Sequence, residues 1–337
     1  MPPLTLAIHH RRDFMTATVS LIKAQSYAVE ELMTQLQTIL EPLGGMSAIV
    51  KSGDRVLLKP NLLTGARPTK ECVTRPELVY CVAELVKAAG GQPFVGDSPA
   101  FGSAYGVAEA NGYLPWLEQA AVPVQELHGH RYATAASGEL AHLRLSKEAM
   151  NADVVINLPK VKSHVQLTLT LGVKNLFGCV PGKMKAWWHM EAGKDRDRFG
   201  TMLVETARTI APQLTIVDGI IGHSGNGPSG GEPQTLGVLG AATDVFALDR
   251  ALVAILGARP DDVPTVAQSI RLGCCPDLAD MHFPLATPEA LAIADWQLPA
   301  QLMPIDFGMP RVVRSTFKHL YIRFIKEPIA AYAHRAG

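Results

Sequence analysis

Three basic residues at alternate positions, Lys160, Lys162 and His164, follow an apolar run at 154–158 and precede Lys174, Lys183 and His189. In an extended chain, residues two apart share a face, so these three point one way while Val161 and Ser163 point the other. Gathered ammonium groups repel one another until an anion sits among them, which makes phosphate or carboxylate the natural guest. The stretch 159–182 contains no acidic residue and is interleaved with Val161, Val165, Leu167 and Phe177, which favours a pocket against the core over a solvated basic loop. Crowding by lysines lowers the pKa of His164 and leaves a neutral imidazole able to act as base or ligand, with His189 the second candidate for handling protons. No HExxH spacing supports either histidine, so a structural role stays open for both.

Further polar residues stand where predicted strands end. Lys59 and Asn61 follow a strand at 55–59, Asp97 follows one at 93–96, and Asp218 and Gly219 follow one at 214–217. Asn175 adds an amide beside Lys174. In parallel sheets ligands bind beyond the carboxyl ends of strands, so these positions are candidates for one site. The run 222–231 is glycine-rich, and the backbone around Gly227 and Gly230 can present amides to an anion, a plain loop being the alternative. It is neither a Walker A loop nor a dinucleotide fingerprint. Asp244 reads as a helix N-cap rather than a metal ligand, and Cys179 as a buried filler rather than a reactive thiol.

The elements that must position these residues alternate along the chain. Apolar residues at helical spacing mark 29–40, closed by Gly44-Gly45, and 78–86, closed by Gly90-Gly91. Thr74 and Glu77 form a capping-box pattern around Pro76. With strands at 16–21, 123–127, 153–158 and 236–241 and helices at 199–210 and 245–255, the fold class is α/β. It is a mostly parallel doubly wound sheet with helices on both faces.

A charged excursion at 183–198, holding Trp187 and Trp188, reads as a mobile lid or a solvated connection. Residues 1–14 are expected to form a non-core extension, with Met15 as an alternative start. Residues 15–310 form the α/β domain, breaking near 183–198 if it has two lobes. Residues 311–337 are a basic amphipathic helix.

The chain of 337 residues has 31 Lys plus Arg against 31 Asp plus Glu, so no global field draws nucleic acid. Its five cysteines show no C-x-x-C spacing, which argues against an iron–sulfur cluster and for a reducing compartment. No apolar stretch is long enough to span a bilayer, and the sequence reads as cytoplasmic.

The motifs at 56–62, 96–99, 157–164, 174–182 and 218–219 resemble the family called domain of unknown function 362, over about 19–257. Some relatives carry a ferredoxin-like domain with four-iron four-sulfur motifs. The resemblance therefore implies a redox setting for those relatives, but this chain lacks the cysteines.

The reading is an enzyme, redox or metal-assisted, acting on an anionic small molecule bound by Lys59, Asn61, Asp97, Lys160, Lys162, Lys174, Asn175, Gly227 and Gly230. His164 and His189 would do the chemistry, and a bound divalent metal is compatible with it. The alternative is a non-catalytic ligand-binding or accessory subunit of a redox or biosynthetic system. In either case the C-terminal helix offers a surface for a protein partner or a membrane.

Overall fold

Val56, Leu57 and Leu58 are all fully buried, so the strand they belong to is covered on both faces and lies inside a sheet. The computed structural model describes residues 16–65, 70–99, 101–135, 143–182 and 184–305, together with 321, 322 and 325. β1 (Ala17–Lys23), α1 (Val29–Leu40) and α2 (Met46–Ile49) lead to β2 (Arg55–Pro60). Two crossovers follow, through α3 (Pro76–Ala88) to β3 (Gln92–Asp97), then through α4 (Ala104–Ala110) and α5 (Leu114–Gln119) to β4 (Val124–Glu126). β5 (His130–Ala133) and β6 (Leu143–Ser146) pair as a small separate antiparallel sheet, and α6 (Lys147–Met150) comes next.

β7 (Val154–Leu158), β8 (Lys160–His164) and β9 (Thr168–Thr170) succeed one another closely and run into α7 (Gly172–Asn175). α8 (Met184–Ala192) and α9 (Arg196–Ile210) return the chain to β10 (Leu214–Ser224) and β11 (Glu232–Ala242). α10 (Val245–Ile255), α11 (Pro264–Arg271) and β12 (Met281–His282) complete the set.

The main sheet has the order β12-β1-β11-β10-β7-β2-β3-β4, with β8 paired to β10 and β9. β10, β7, β2, β3 and β4 are mutually parallel neighbours, whereas β11 is antiparallel to both β10 and β1. The alternation along each strand sorts the core. Val56, Leu58, Ile156 and Ile216 meet α1, α3 and α5 on one face. Leu57, Phe94 and Val155 meet α9 on the other, and Val19, Leu21 and Val217 meet α10 beside them. Helices on both faces of a mostly parallel sheet make this the doubly wound α/β class that the alternation predicts.

Local expectations need four corrections. Thr74 does not cap α3, which starts with Pro76 and has no side-chain cap. The Thr74 hydroxyl instead donates to Leu158 O at 2.7 Å and accepts from Asn61 N at 2.9 Å, tying the ends of β7 and β2 together. β10 does not stop at Val217, so Asp218 lies within a strand rather than in a turn after it. Gly219 suits that course, because a Cβ there would stand 2.9 Å from Val238 O across the ladder. The basic segment after β7 is itself a strand, β8, with every residue buried.

Finally, the charged excursion is helical, and it is no solvated connection: Trp188 packs on Phe177 at a centroid distance of 5.7 Å while Trp187 stays exposed. The N-terminal extension lies outside the described residues, and so does the C-terminal helix apart from Tyr321, Ile322 and Ile325.

Candidate functional site

β8 is extended, so Lys160, Lys162 and His164 share a face, as their spacing requires. Their surroundings differ. Lys160 Nζ is 3.1 Å from Asp218 Oδ2 and 3.5 Å from Glu71 Oε2, and it donates to Tyr27 OH at 3.1 Å. Tyr27 OH in turn donates to Asp218 Oδ1 at 2.5 Å, and Arg75 N donates to Asp218 Oδ2 at 2.9 Å. Asp218 can take this part because β10 carries it, fully buried, alongside Lys160 in register. The Tyr27 phenol is pushed well above its ordinary pKa, first by burial and then by Asp218, and stays protonated.

Lys59, at the end of β2, forms the second buried pair, with Nζ 3.1 Å from Asp97 Oδ1 at the end of β3. Asp97 also accepts from Ser98 N at 2.8 Å and Leu62 N at 3.1 Å. Gly178 backs onto this pair: a Cβ there would fall 2.1 Å from Asp97 Oδ1 and 2.3 Å from Lys59 Cε. Only glycine lets the chain pass.

Three asparagines join the strand ends to α7. Asn175 Nδ2 donates to Lys59 O at 3.0 Å and to Asn157 Oδ1 at 2.8 Å, while Asn61 Nδ2 donates to Asn175 Oδ1 at 2.8 Å. Asn61 Oδ1 then accepts from Lys162 Nζ at 2.8 Å, and the second acceptor of Lys162 is Cys72 O at 2.8 Å. α7 is held from the opposite side by buried Asp249, which accepts from Gly172 N at 2.7 Å and Val173 N at 2.9 Å. Burial raises the Asp249 carboxyl to about 7, against the pull of those two amides.

Lys174 and Lys185 are half-buried around one ring, their Nζ atoms 4.8 Å and 5.8 Å from the Phe177 centroid. Lys185 also donates to Ser98 O. Among the described residues, no carboxylate lies within ion-pair distance of Lys162, Lys174 or Lys185. Burial first, and neighbouring lysines among the further causes, bring Lys162 and Lys174 down to about 7 and Lys185 to about 8.

His164 is pushed well below the usual histidine range by burial, then by Lys174, Lys162 and His189. Its neutral ring has a defined tautomer, because Nδ1 accepts from Gln166 N at 3.1 Å and the proton must therefore sit on Nε2. Nε2 of His164 is then a donor. His189 has the opposite arrangement, its Nδ1 lying 3.1 Å from Ile305 O, which can only accept. Its Nδ1 therefore carries a proton. The ring is held between Phe199 at 4.4 Å and Phe177 at 6.0 Å.

Gly227 and Gly230 lie in the β10–β11 connection. A Cβ at Gly227 would overlap Ser163 O, and Gly227 O accepts from Val165 N at 3.0 Å, which packs the loop on the end of β8. The amides of Gly225, Gly227 and Gly231 donate to Gln297 O, Gly225 O and His223 Nε2, so these three are not offered to an anion. Cys179 is a buried filler, its thiol pushed up to about 12 by burial. Asp244 caps α10, accepting from Phe246 N and Ala247 N. Among the described residues, no three His, Cys, Asp or Glu side chains gather to hold a metal ion. Sequence reasoning missed Tyr27, Glu71, Asp249 and Lys185, which have no motif or spacing to mark them.

The model of the family described as Domain of unknown function (DUF362) matches residues 56–254, the span that carries β2, β3, β7, β8, α7 and β10. The chain is 63% identical over 322 residues to Thylakoid-associated protein sll1697 of Synechocystis sp. (strain ATCC 27184 / PCC 6803 / Kazusa), covering 96% of this chain and 100% of that one. Among solved structures, the lactate racemase apoprotein from Thermoanaerobacterium thermosaccharolyticum aligns with a TM-score of 0.44 and 11% identity, over 71% of this chain and 57% of that chain. No helix among the described residues is long and apolar enough to cross a membrane.

Proposed function

We propose that this chain, which belongs to the Domain of unknown function (DUF362) family, is an enzyme that moves protons on a small anionic molecule bound at the carboxyl ends of β2, β3 and β8. One observation carries the reading: among the described residues Lys162, Lys174 and Lys185 have no carboxylate in ion-pair reach, whereas Lys59 has one and Lys160 has two. A carboxylate or phosphate supplies the missing charge, entering from the half-buried side of Lys174 and Lys185. Lys59, Lys160, Asp97, Asn61 and Asn175 hold the frame, and the loop at Gly227 and Gly230 closes the β8 end.

The two histidines fit the roles of a proton-transfer pair. We assign His189, whose Nδ1 is committed to Ile305 O, to take a proton, while His164, with a hydrogen at Nε2, polarises an oxygen. No metal is needed for that division of labour. The proposed location is cytoplasmic, and the relative's association with thylakoids supports peripheral contact with a membrane.

The experiment is binding and isotope exchange with a panel of phosphate, lactate and pyruvate. Calorimetry should show saturable binding that Lys174→Met weakens, and nuclear magnetic resonance in deuterated water should show exchange of carbon-bound hydrogen that His189→Gln abolishes. Binding without exchange would leave a ligand-binding or accessory subunit. No binding of any anion would remove the proposal.

A further inference from the structure

Two lysines on one face of β8 have been given opposite surroundings. Lys160 has Asp218 and Glu71, while the described contacts of Lys162 are two neutral oxygens, Asn61 Oδ1 and Cys72 O, each at 2.8 Å. An ammonium group has three N–H bonds to satisfy; an uncharged amine has two, and a lone pair. Two acceptors, with none further among the described residues, match the amine. Lys162 is 1% exposed, so water does not supply the third partner readily. The asparagine relay fixes the orientation: Asn175, tied to β2 and β7, holds Asn61, and Asn61 holds Nζ. Burial first, with Lys160 and Lys59 among the further causes, favours the uncharged form of the group, the combination that activates lysine nucleophiles.

We propose that Lys162 is a nucleophile that forms an imine with the carbonyl carbon of a small oxo acid whose carboxylate is held by Lys174 and Lys185. The inference rests on the anion site proposed above and gives it a substrate class. The Nζ lone pair forms the C–N bond while the carbonyl π pair moves onto oxygen, polarised by the hydrogen on His164 Nε2. One amine hydrogen passes to that oxygen to give the carbinolamine. The second follows as the C–O bond breaks, so that water leaves and the C=N bond closes with no other reactant consumed. A covalent link of this kind draws electrons from the adjacent carbon and makes its hydrogen easier for His189 to take.

The test uses the full chain with glyoxylate and pyruvate, each with sodium borohydride, followed by intact mass measurement and peptide mapping. The expected product is a single reduced adduct on Lys162, formed in the wild-type protein and lost in Lys162→Met. Lys51→Met, which changes an exposed lysine, should leave the adduct in place. Because the mapping is read on the wild type, a Lys162→Met chain that failed to fold would not spare the proposal. An adduct mapped to Lys174 or Lys185, or scattered over exposed lysines, overturns it, as does the absence of any adduct with both probes. Lactate, which has no carbonyl, separates this outcome from failure of the anion site. If lactate binds in a manner dependent on Lys174 and no imine is trapped, the site stands and the nucleophile does not.

Discussion

Lys160 and Lys162 are two residues apart on one buried face of β8, yet Lys160 Nζ stands 3.1 Å from Asp218 Oδ2 while Lys162 Nζ meets, among the described residues, an amide and a carbonyl oxygen. The two should respond unequally to replacement. Removing Lys160 leaves Asp218 buried without its cation, and breaking such a pair costs about 3–5 kcal/mol. Removing Lys162 frees two neutral acceptors and leaves no buried charge without its partner, so the cost is smaller. Urea unfolding should therefore show a much larger loss for Lys160→Met than for Lys162→Met. Equal losses would mean that the carboxylates do not discriminate between the lysines.

Gly178 offers a test of the frame without touching a charged group. Its Cβ would overlap both Asp97 and Lys59, and the neighbours that would have to yield are a hydrogen-bonded carboxylate and a buried lysine stem. Gly178→Ala should cost about 1–3 kcal/mol or more, the usual range for overpacking. Gly182→Ala, where a Cβ meets nothing within 4 Å, is the control and should melt like the parent protein.

How far the sequence disclosed this arrangement depends on which contacts are local. The shared face of Lys160, Lys162 and His164 follows from the two-residue period of an extended chain and needed no tertiary information. The sheet class followed from alternating elements for the same reason. The distinction between Lys160 and Lys162 was not legible, because Asp218 and Glu71 lie 58 and 89 residues away in the chain. Asp218-Gly219 reads as a turn, and only pairing with β11, where Gly219 lets Val238 approach closely, reveals a strand running through it. The histidine tautomers depend on the amide of Gln166 and the carbonyl of Ile305, atoms that every residue possesses and no pattern marks.

Asp249 acts on the site through α7. Its carboxyl, raised to about 7 by burial, holds its proton longer in the folded chain than in the unfolded one, where about 3.9 is usual. The folded state then binds more protons between those values, so the group's contribution to stability falls as pH rises from about 4 to about 7. Asp249→Asn should flatten that part of the stability profile. It should also lower stability by about 1–3 kcal/mol, since an amide can accept from only one of the two backbone donors it faces. Denaturant midpoints across that pH range decide the matter: an unchanged slope would show that Asp249 does not titrate there.

The last prediction concerns the coupling of anion binding to protons. In the free protein burial disfavours the charged forms of Lys162, Lys174 and Lys185 and brings the first two down to about 7 and the third to about 8, below the ordinary lysine value. Their folded pKa values are depressed, so between about 7 and about 10.4 the unfolded chain binds more protons than the folded one. Stability therefore gains from these groups as pH rises through that window and loses as pH falls. A carboxylate or phosphate held by Lys174 and Lys185 reverses the preference at those two groups, because it stabilises their charged ammonium forms and draws protons in. Affinity for lactate or phosphate should then weaken steadily as pH rises from about 6 to about 9, by up to roughly tenfold per unit for each proton taken up. Calorimetric titrations at about pH 8, repeated in buffers of different ionisation enthalpy, should show net proton uptake on binding. Lys174→Met should reduce that uptake as well as the affinity, whereas Lys51→Met should change neither. Binding with no proton uptake and a flat pH profile would place the anion elsewhere, away from Lys174 and Lys185.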